Sequence, residues 1–393
     1  MRRWLVGALA LTLLAGCGGP EAPPALDSSA PAVAPAPVGD ERGAIVSQTD
    51  MGHLDLAVRF LGASATRVVY ASTSGDGTSR TEVSGVIFAP KGAPPQGGWP
   101  IVSVGHGTTG VTDECAPSLY PNLLGTIGTV APFLERGMVV AVTDYEGIGT
   151  PGIHPYLDPN AAAYNVIDAV RAAANVVPGT GARWGAIGNS QGGQAVWAAA
   201  EHADYADGLE LVGSAALSPV LDLAPMFDAG HVNTLPQILL TPFLVDGLQY
   251  RHPEVTGTEF VRGALEADRR ALTACTDLLG VQKAEAAGRL TASDATPATE
   301  ASRLKMVEWL TSVALPRTRT DVPLLAVVGQ QDQLIDPKWT RDAVARACSM
   351  GDVVSIREEP GQGHSDQAAV ADGVAWLADR FAGVPPPDTC AGG

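Results

Sequence analysis

Gly188-Asn189-Ser190-Gln191-Gly192 is the stretch on which the fold turns, because it has the form G-x-S-x-G. A short apolar run, Arg183 to Ile187, precedes it, and an Ala-rich helical run, Gly193 to His202, follows. Strand, tight turn and helix in that order lift a serine above a sheet on a strained bend with its hydroxyl exposed. Glycines two residues before and two after the serine remove the side chains that would block so sharp a turn. With 45 glycines in 393 residues, a chance Gly-rich turn is the plain alternative. Partners for the serine, placed where the chemistry requires them, argue against it.

Pro323 to Gly329 reads as a buried parallel strand, and Asp332 follows it closely. Val353 to Ile356 reads as the next strand, and His364 lies in a loop before the helical run Asp366 to Phe381. Ser190, Asp332 and His364 therefore stand in the Ser…Asp…His order of α/β-hydrolases, with acid and base on loops at strand C-terminal ends. In that geometry His364 deprotonates Ser190 and later protonates the leaving group, while Asp332 holds the imidazole tautomer. Asp336 is the rival acid; Asp332 sits nearer the strand end, where a short loop can fix it. A surface loop histidine is the bland reading of His364, but none of the other six histidines lies between a late strand and the last helix.

An oxyanion hole is the third requirement. The backbone N–H of Gln191, directly after the serine, is one expected donor. Trp99 to Gly105 is an apolar strand running into His106-Gly107-Thr108-Thr109-Gly110, and the Thr108 N–H is the expected second donor, with Thr109 as the alternative. His106 reads as a structural hydrogen-bonding residue.

Gly105-His-Gly-Thr-Thr-Gly110, Thr143-Asp-Tyr-Glu-Gly-Ile-Gly149 and Gly188-Asn-Ser-Gln-Gly-Gly193 together resemble the secretory lipase family of α/β-hydrolases. That group includes fungal lipases of the Candida lipase A type and bacterial relatives. The resemblance runs from about residue 60 onward, and the Asp-Tyr-Glu-Gly block is its more specific part. It implies hydrolysis of carboxylic esters, triacylglycerols among them, by a Ser-Asp-His triad without a metal or cofactor. Carried over, that triad falls on Ser190, Asp332 and His364. Many relatives have Tyr or His before the nucleophile where this chain has Asn189, a change expected to touch the pocket wall rather than the mechanism.

The first residues read as an export signal (1–16): Arg2-Arg3, then an apolar run from Trp4 to Ala15, too short to span a bilayer. Leu14-Ala15-Gly16-Cys17 has the form of a bacterial lipobox, in which Cys17 would carry lipid. Residues 18–40 hold six prolines in 23 positions and with Cys17 form an expected tether, 17–40. An exported protein, either a cell-envelope lipoprotein or secreted, is the expectation. The formal charge is −17, or −19 once the two signal arginines are lost, and no basic patch suggests nucleic acid as a partner. The expected partners are an ester or lipid substrate and, through Cys17, a membrane. Four further cysteines, Cys115, Cys275, Cys348 and Cys390, suggest two disulfides. Three connectivities are possible; Cys348–Cys390 with Cys115–Cys275 is favoured.

Strands are expected at 67–72, 84–89, 101–105, 138–143, 183–188, 211–217, 324–329 and 353–356, and helices at 161–177, 193–202, 338–348 and 367–381. Their alternation predicts an α/β-hydrolase core over 41–220 and 317–393, a mostly parallel sheet with helices on both faces. The pair at 67–89, joined by Gly75-Asp-Gly77, reads as an antiparallel hairpin. Residues 221–316 break the pattern and are too many for a structureless loop. Helical runs at 258–279 and 301–313 and an apolar stretch at 235–248 predict an inserted helical cap. Pockets are mostly apolar, so Ile238, Leu239, Phe243 and Leu244 are expected to line one over Ser190.

Two G-x-G-x-x-G matches, at Gly105/Gly107/Gly110 and Gly147/Gly149/Gly152, open no convincing helix and do not indicate a dinucleotide. No metal-ligand spacing is present. Asp144 and Glu146 are candidates for substrate contact, although a structural ion pair or loop-end hydrogen bond is the simpler role. Besides ester hydrolysis, the same constellation fits a peptidase of this fold or a surface lipoprotein that only binds.

Overall fold

The computed structural model describes residues 41–392 apart from Asp277 and Ser365. The expected signal, Cys17 and the tether lie outside these residues.

Among the described residues nine strands form one sheet: β1 (Ile45–Asp50), β2 (Ser64–Thr73), β3 (Arg80–Ala89), β4 (Trp99–Gly105), β5 (Val139–Thr143), β6 (Thr180–Asn189), β7 (Glu210–Leu217), β8 (Leu324–Gly329) and β9 (Val354–Glu359). Their spatial order is β1-β2-β3-β5-β4-β6-β7-β8-β9. β1, β2 and β3 pair antiparallel, as does β3 with β5, and the remaining pairs are parallel. The expected hairpin is β2–β3, longer than the sequence suggested, with Ser64 opposite Ala89 and Thr73 opposite Arg80. Strand β1 carries no apolar alternation, and nothing in its sequence announces it. The interior strands are continuous apolar runs because both their faces are covered; every residue of β5 and β8 is buried.

The helices are α1 (Leu56–Leu61), α2 (Ile127–Glu135), α3 (Pro159–Val176), α4 (Gln191–Glu201), α5 (Leu235–Arg251), α6 (Gly263–Ala267), α7 (Arg269–Leu272), α8 (Gly280–Ala287), α9 (Glu300–Val313), α10 (Pro337–Met350) and α11 (Gln367–Phe381). Apolar faces of α3, α4 and α10 pack on one side of the sheet and those of α2 and α11 on the other. Runs of alanine in α3 and α4 keep these layers close. The chain leaves β4 for β5 on one side and returns as β6 on the other. Such a reversal opens a crevice at the strand C-terminal ends, between β4 and β6.

Between β7 and β8 the helices α5 to α9 gather around a separate apolar cluster that includes Leu244, Phe260, Met306 and Trp309. The single helix expected over 258–279 is broken. Gly263 has φ +55°, and a Cβ there would meet the Asp294 carboxylate at 2.1 Å, so α6 begins at a bend. Conversely, α5 is a full helix where only an apolar stretch was expected. Pro236 and Pro242 hid it, but Thr234 and Gln237 form a capping box at its start, a signal that could have disclosed it.

Disulfides join Cys115 to Cys275 and Cys348 to Cys390. The first closes a separation of 160 residues and the second 42. By chain entropy alone the unfolded state is constrained by about 5 and about 4 kcal/mol respectively. Replacing both members of a pair by alanine is expected to lower the urea midpoint, more for Cys115/Cys275. An unshifted midpoint in both double variants would show that neither bond stabilises the fold.

Candidate active site

Ser190 occupies the turn between β6 and α4 with φ 57° and ψ −117°, a conformation costly for any residue with a Cβ. The flanking glycines explain how it is tolerated. A Cβ on Gly188 would meet the Gly192 carbonyl oxygen at 2.2 Å, and one on Gly192 would meet the Gly105 carbonyl oxygen at 2.0 Å. Both contacts are with backbone and cannot be relieved by a rotamer change. The Ser190 N–H donates to the Leu217 carbonyl, which ties the turn to β7.

Asp332 lies in the loop after β8 and is 8% exposed. Its Oδ1 accepts the backbone N–H groups of Leu334 and Ile335 at 2.8 and 3.0 Å. Its Oδ2 lies 2.7 Å from His364 Nδ1. One oxygen thus anchors the carboxylate while the other faces the imidazole. The rival Asp336 is exposed and caps α10, accepting from the Lys338 N–H. The far nitrogen of His364, Nε2, is buried with no hydrogen-bond partner among the described residues.

Ser190 and His364 line one cavity of about 530 Å³, without a hydrogen bond between them. Gly107, Thr108 and Asn189 share the lining. Neither the Gln191 nor the Thr108 backbone N–H donates to another described residue. Leu239 and Phe243 line the cavity together with Pro236 and Leu240. Those four positions follow i, i+3, i+4, i+7 and make one face of α5. Ile238 and Leu244 lie off that stripe; they are buried in the apolar cluster of α5–α9 and do not line the cavity, contrary to expectation. The start of α5 is fastened to the loop that carries Asp332: Thr234 Oγ1 donates to the Gln333 carbonyl at 2.6 Å and Gln237 Nε2 to that of Leu334 at 3.1 Å.

Asp144 is fully buried and accepts from the Ser84 hydroxyl and from the Ser118 N–H and hydroxyl. Glu146 accepts from Ser74 Oγ, and burial raises its pKa. Neither lines the cavity. His106 is buried against Tyr145, with Nδ1 donating to the Gly107 carbonyl at 2.6 Å. Residues the sequence did not single out also reach the site, among them Thr129, Gln367 and Val370. Helical position alone marks Gln367 and Val370, three apart at the start of α11.

The sheet order and the glycine-flanked turn at Ser190 are those of an α/β-hydrolase. This chain belongs to the Secretory lipase family, whose model matches residues 126–389. A Mycobacterium tuberculosis (strain CDC 1551 / Oshkosh) protein named "Probable inactive lipase MT1628" is 30% identical over 219 residues, 51% of this chain and 47% of that protein. The match thus spans about half that relative's length. Candida antarctica lipase A in its closed state shares the fold with a TM-score of 0.67 at 15% identity, over 89% of this chain and 84% of that one. A ligand-bound form of the rice cell wall degrading esterase LipA from Xanthomonas oryzae does so at 0.66 and 19%, over 88% and 97%.

Proposed function

We propose that this chain is an exported serine hydrolase that cleaves carboxylic esters through an acyl-enzyme on Ser190. One observation carries the reading: a serine forced to positive φ opens onto the same cavity as an imidazole whose other nitrogen is bonded to a buried, anchored carboxylate. In the reaction, Ser190 Oγ bonds to the ester carbonyl carbon as His364 Nε2 takes its proton. Such serine–imidazole bonds often tighten only when substrate is bound. The resulting oxyanion accepts from the N–H groups of Gln191 and Thr108, with the positive end of α4 behind the first. The C–O bond to the alcohol then breaks, and His364 gives the proton to the departing oxygen. Water repeats the sequence on the acyl-serine and releases the acid.

Residues 221–316 act as a cap over this site, with the Leu239–Phe243 face of α5 lining the acyl side. Residues 17–40 act as a tether below a lipidated Cys17. Cys17→Ser is expected to move the protein from the membrane fraction to the soluble one; undiminished membrane retention counts against the anchor.

The name of the mycobacterial relative, an inactive lipase, favours a second reading, a binding protein that keeps the fold without turnover. Labelling of wild-type protein with a fluorophosphonate probe separates the two. Modification at Ser190 supports catalysis, whereas folded protein that stays unlabelled supports binding. A p-nitrophenyl ester series of rising chain length then reports how much acyl chain the cavity accepts.

A further inference from the structure

The two proposed oxyanion donors are joined by a chain of buried side chains. His154 Nδ1 lies 2.8 Å from the Glu146 carbonyl oxygen. That oxygen can only accept, so Nδ1 carries the proton and Nε2 the lone pair. Gln191 Nε2 lies 2.9 Å from His154 Nε2 and is therefore the donor there. The carboxamide oxygen of Gln191 is turned toward Thr108, whose Oγ1 donates to it at 3.3 Å. With its hydrogen committed, Thr108 Oγ1 accepts from the Tyr156 hydroxyl at 2.7 Å. Every direction in the chain follows from one carbonyl. His154, Gln191 and Tyr156 are 5%, 3% and 2% exposed. Burial holds the His154 imidazole neutral, its pKa pushed down to about 4, and raises that of the Tyr156 phenol. From the other side, His106 Nδ1 binds the Gly107 carbonyl. In a trans peptide the N–H lies opposite its carbonyl, so the Thr108 N–H is turned away from His106.

We propose that His154 is a positioning residue for the oxyanion hole. Through the Gln191 carboxamide it fixes the Thr108 side chain, and with it the spacing between the Thr108 and Gln191 backbone N–H groups. This rests on the ester-hydrolase reading above. Removing one such donor outright costs roughly 10²–10³-fold in kcat elsewhere, so loosening one should cost about 10–100-fold.

Gln191→Met keeps the backbone N–H and much of the volume; His154→Ala removes the acceptor. Both are expected to lower kcat for a p-nitrophenyl ester by about 10–100-fold with KM within about twofold, because the oxyanion exists only beyond the ground state. Affinity for a trifluoromethyl ketone analogue should fall in the same proportion. Thr108→Val should lose a similar factor, and Thr108→Ser should recover most of it. Near-wild-type kcat and analogue affinity in His154→Ala, or in both Gln191→Met and Thr108→Val, overturn the proposal. So does a loss confined to KM, or a Thr108→Ser variant no better than Thr108→Val. Wild-type protein that neither turns over ester nor takes fluorophosphonate overturns the ester-hydrolase reading itself, and this proposal with it.

Discussion

Ser190→Ala is expected to lower ester turnover by roughly 10⁵–10⁶-fold while leaving the thermal midpoint near the wild-type value or above it. The rate loss follows from chemistry: without Oγ no acyl-enzyme forms, and only binding and the oxyanion donors remain to help water attack. The expectation for stability follows from backbone and side-chain environment. Ser190 Oγ holds no hydrogen bond to His364, so its removal leaves no imidazole lone pair newly unpaired. Alanine retains the Cβ, so the positive-φ strain is unchanged rather than relieved. Initial rates with a p-nitrophenyl ester and a thermal melt on the same preparation check both parts. Turnover that survives undiminished in a folded variant would remove Ser190 from the mechanism.

Asp332→Asn should cost about 10⁴-fold in kcat, while Asp336→Asn should change it by less than about twofold. The difference lies in how each carboxylate is held. Oδ1 of Asp332 accepts two backbone N–H groups, so an asparagine must keep its oxygen there. Its amide nitrogen would then face His364 Nδ1 as a donor. That forces the imidazole proton onto Nε2, the nitrogen that must be free to receive one from Ser190. Among the described residues the Asp336 carboxylate accepts only from the Lys338 N–H at the start of α10, a cap that asparagine provides equally well. Equal kcat losses in the two variants would mean that the acid has been misassigned.

The elbow, its strand and its helix were readable because each is local. A G-x-S-x-G turn needs its glycines within two residues of the serine, and the clashes at Gly188 and Gly192 are with backbone near in sequence or on the adjoining strand. Asp332 was favoured over Asp336 by a loop-length argument; in the structure it is the Asp332 carboxylate that lies 2.7 Å from His364 Nδ1. The α5 lining was only half legible. An apolar stretch from 235 to 248 does not say which face meets a cavity until the helix phase is known, and two prolines concealed that the stretch was helical. Ile238 and Leu244 were therefore expected on the wrong side.

The sequence by itself determined the strand–turn–helix around Ser190, the placing of Asp332 and His364 after the two late strands, and the helical stretch between β7 and β8. These depend on periods of two to four residues and on glycine's freedom, which chain composition expresses directly. Only the tertiary structure decided which α5 residues reach the cavity, where Asp144 and Glu146 are spent, and that His154 meets Gln191 across 37 positions. Those contacts come from how layers pack against one another, and residues so far apart carry no shared local signal that packing alone has not supplied.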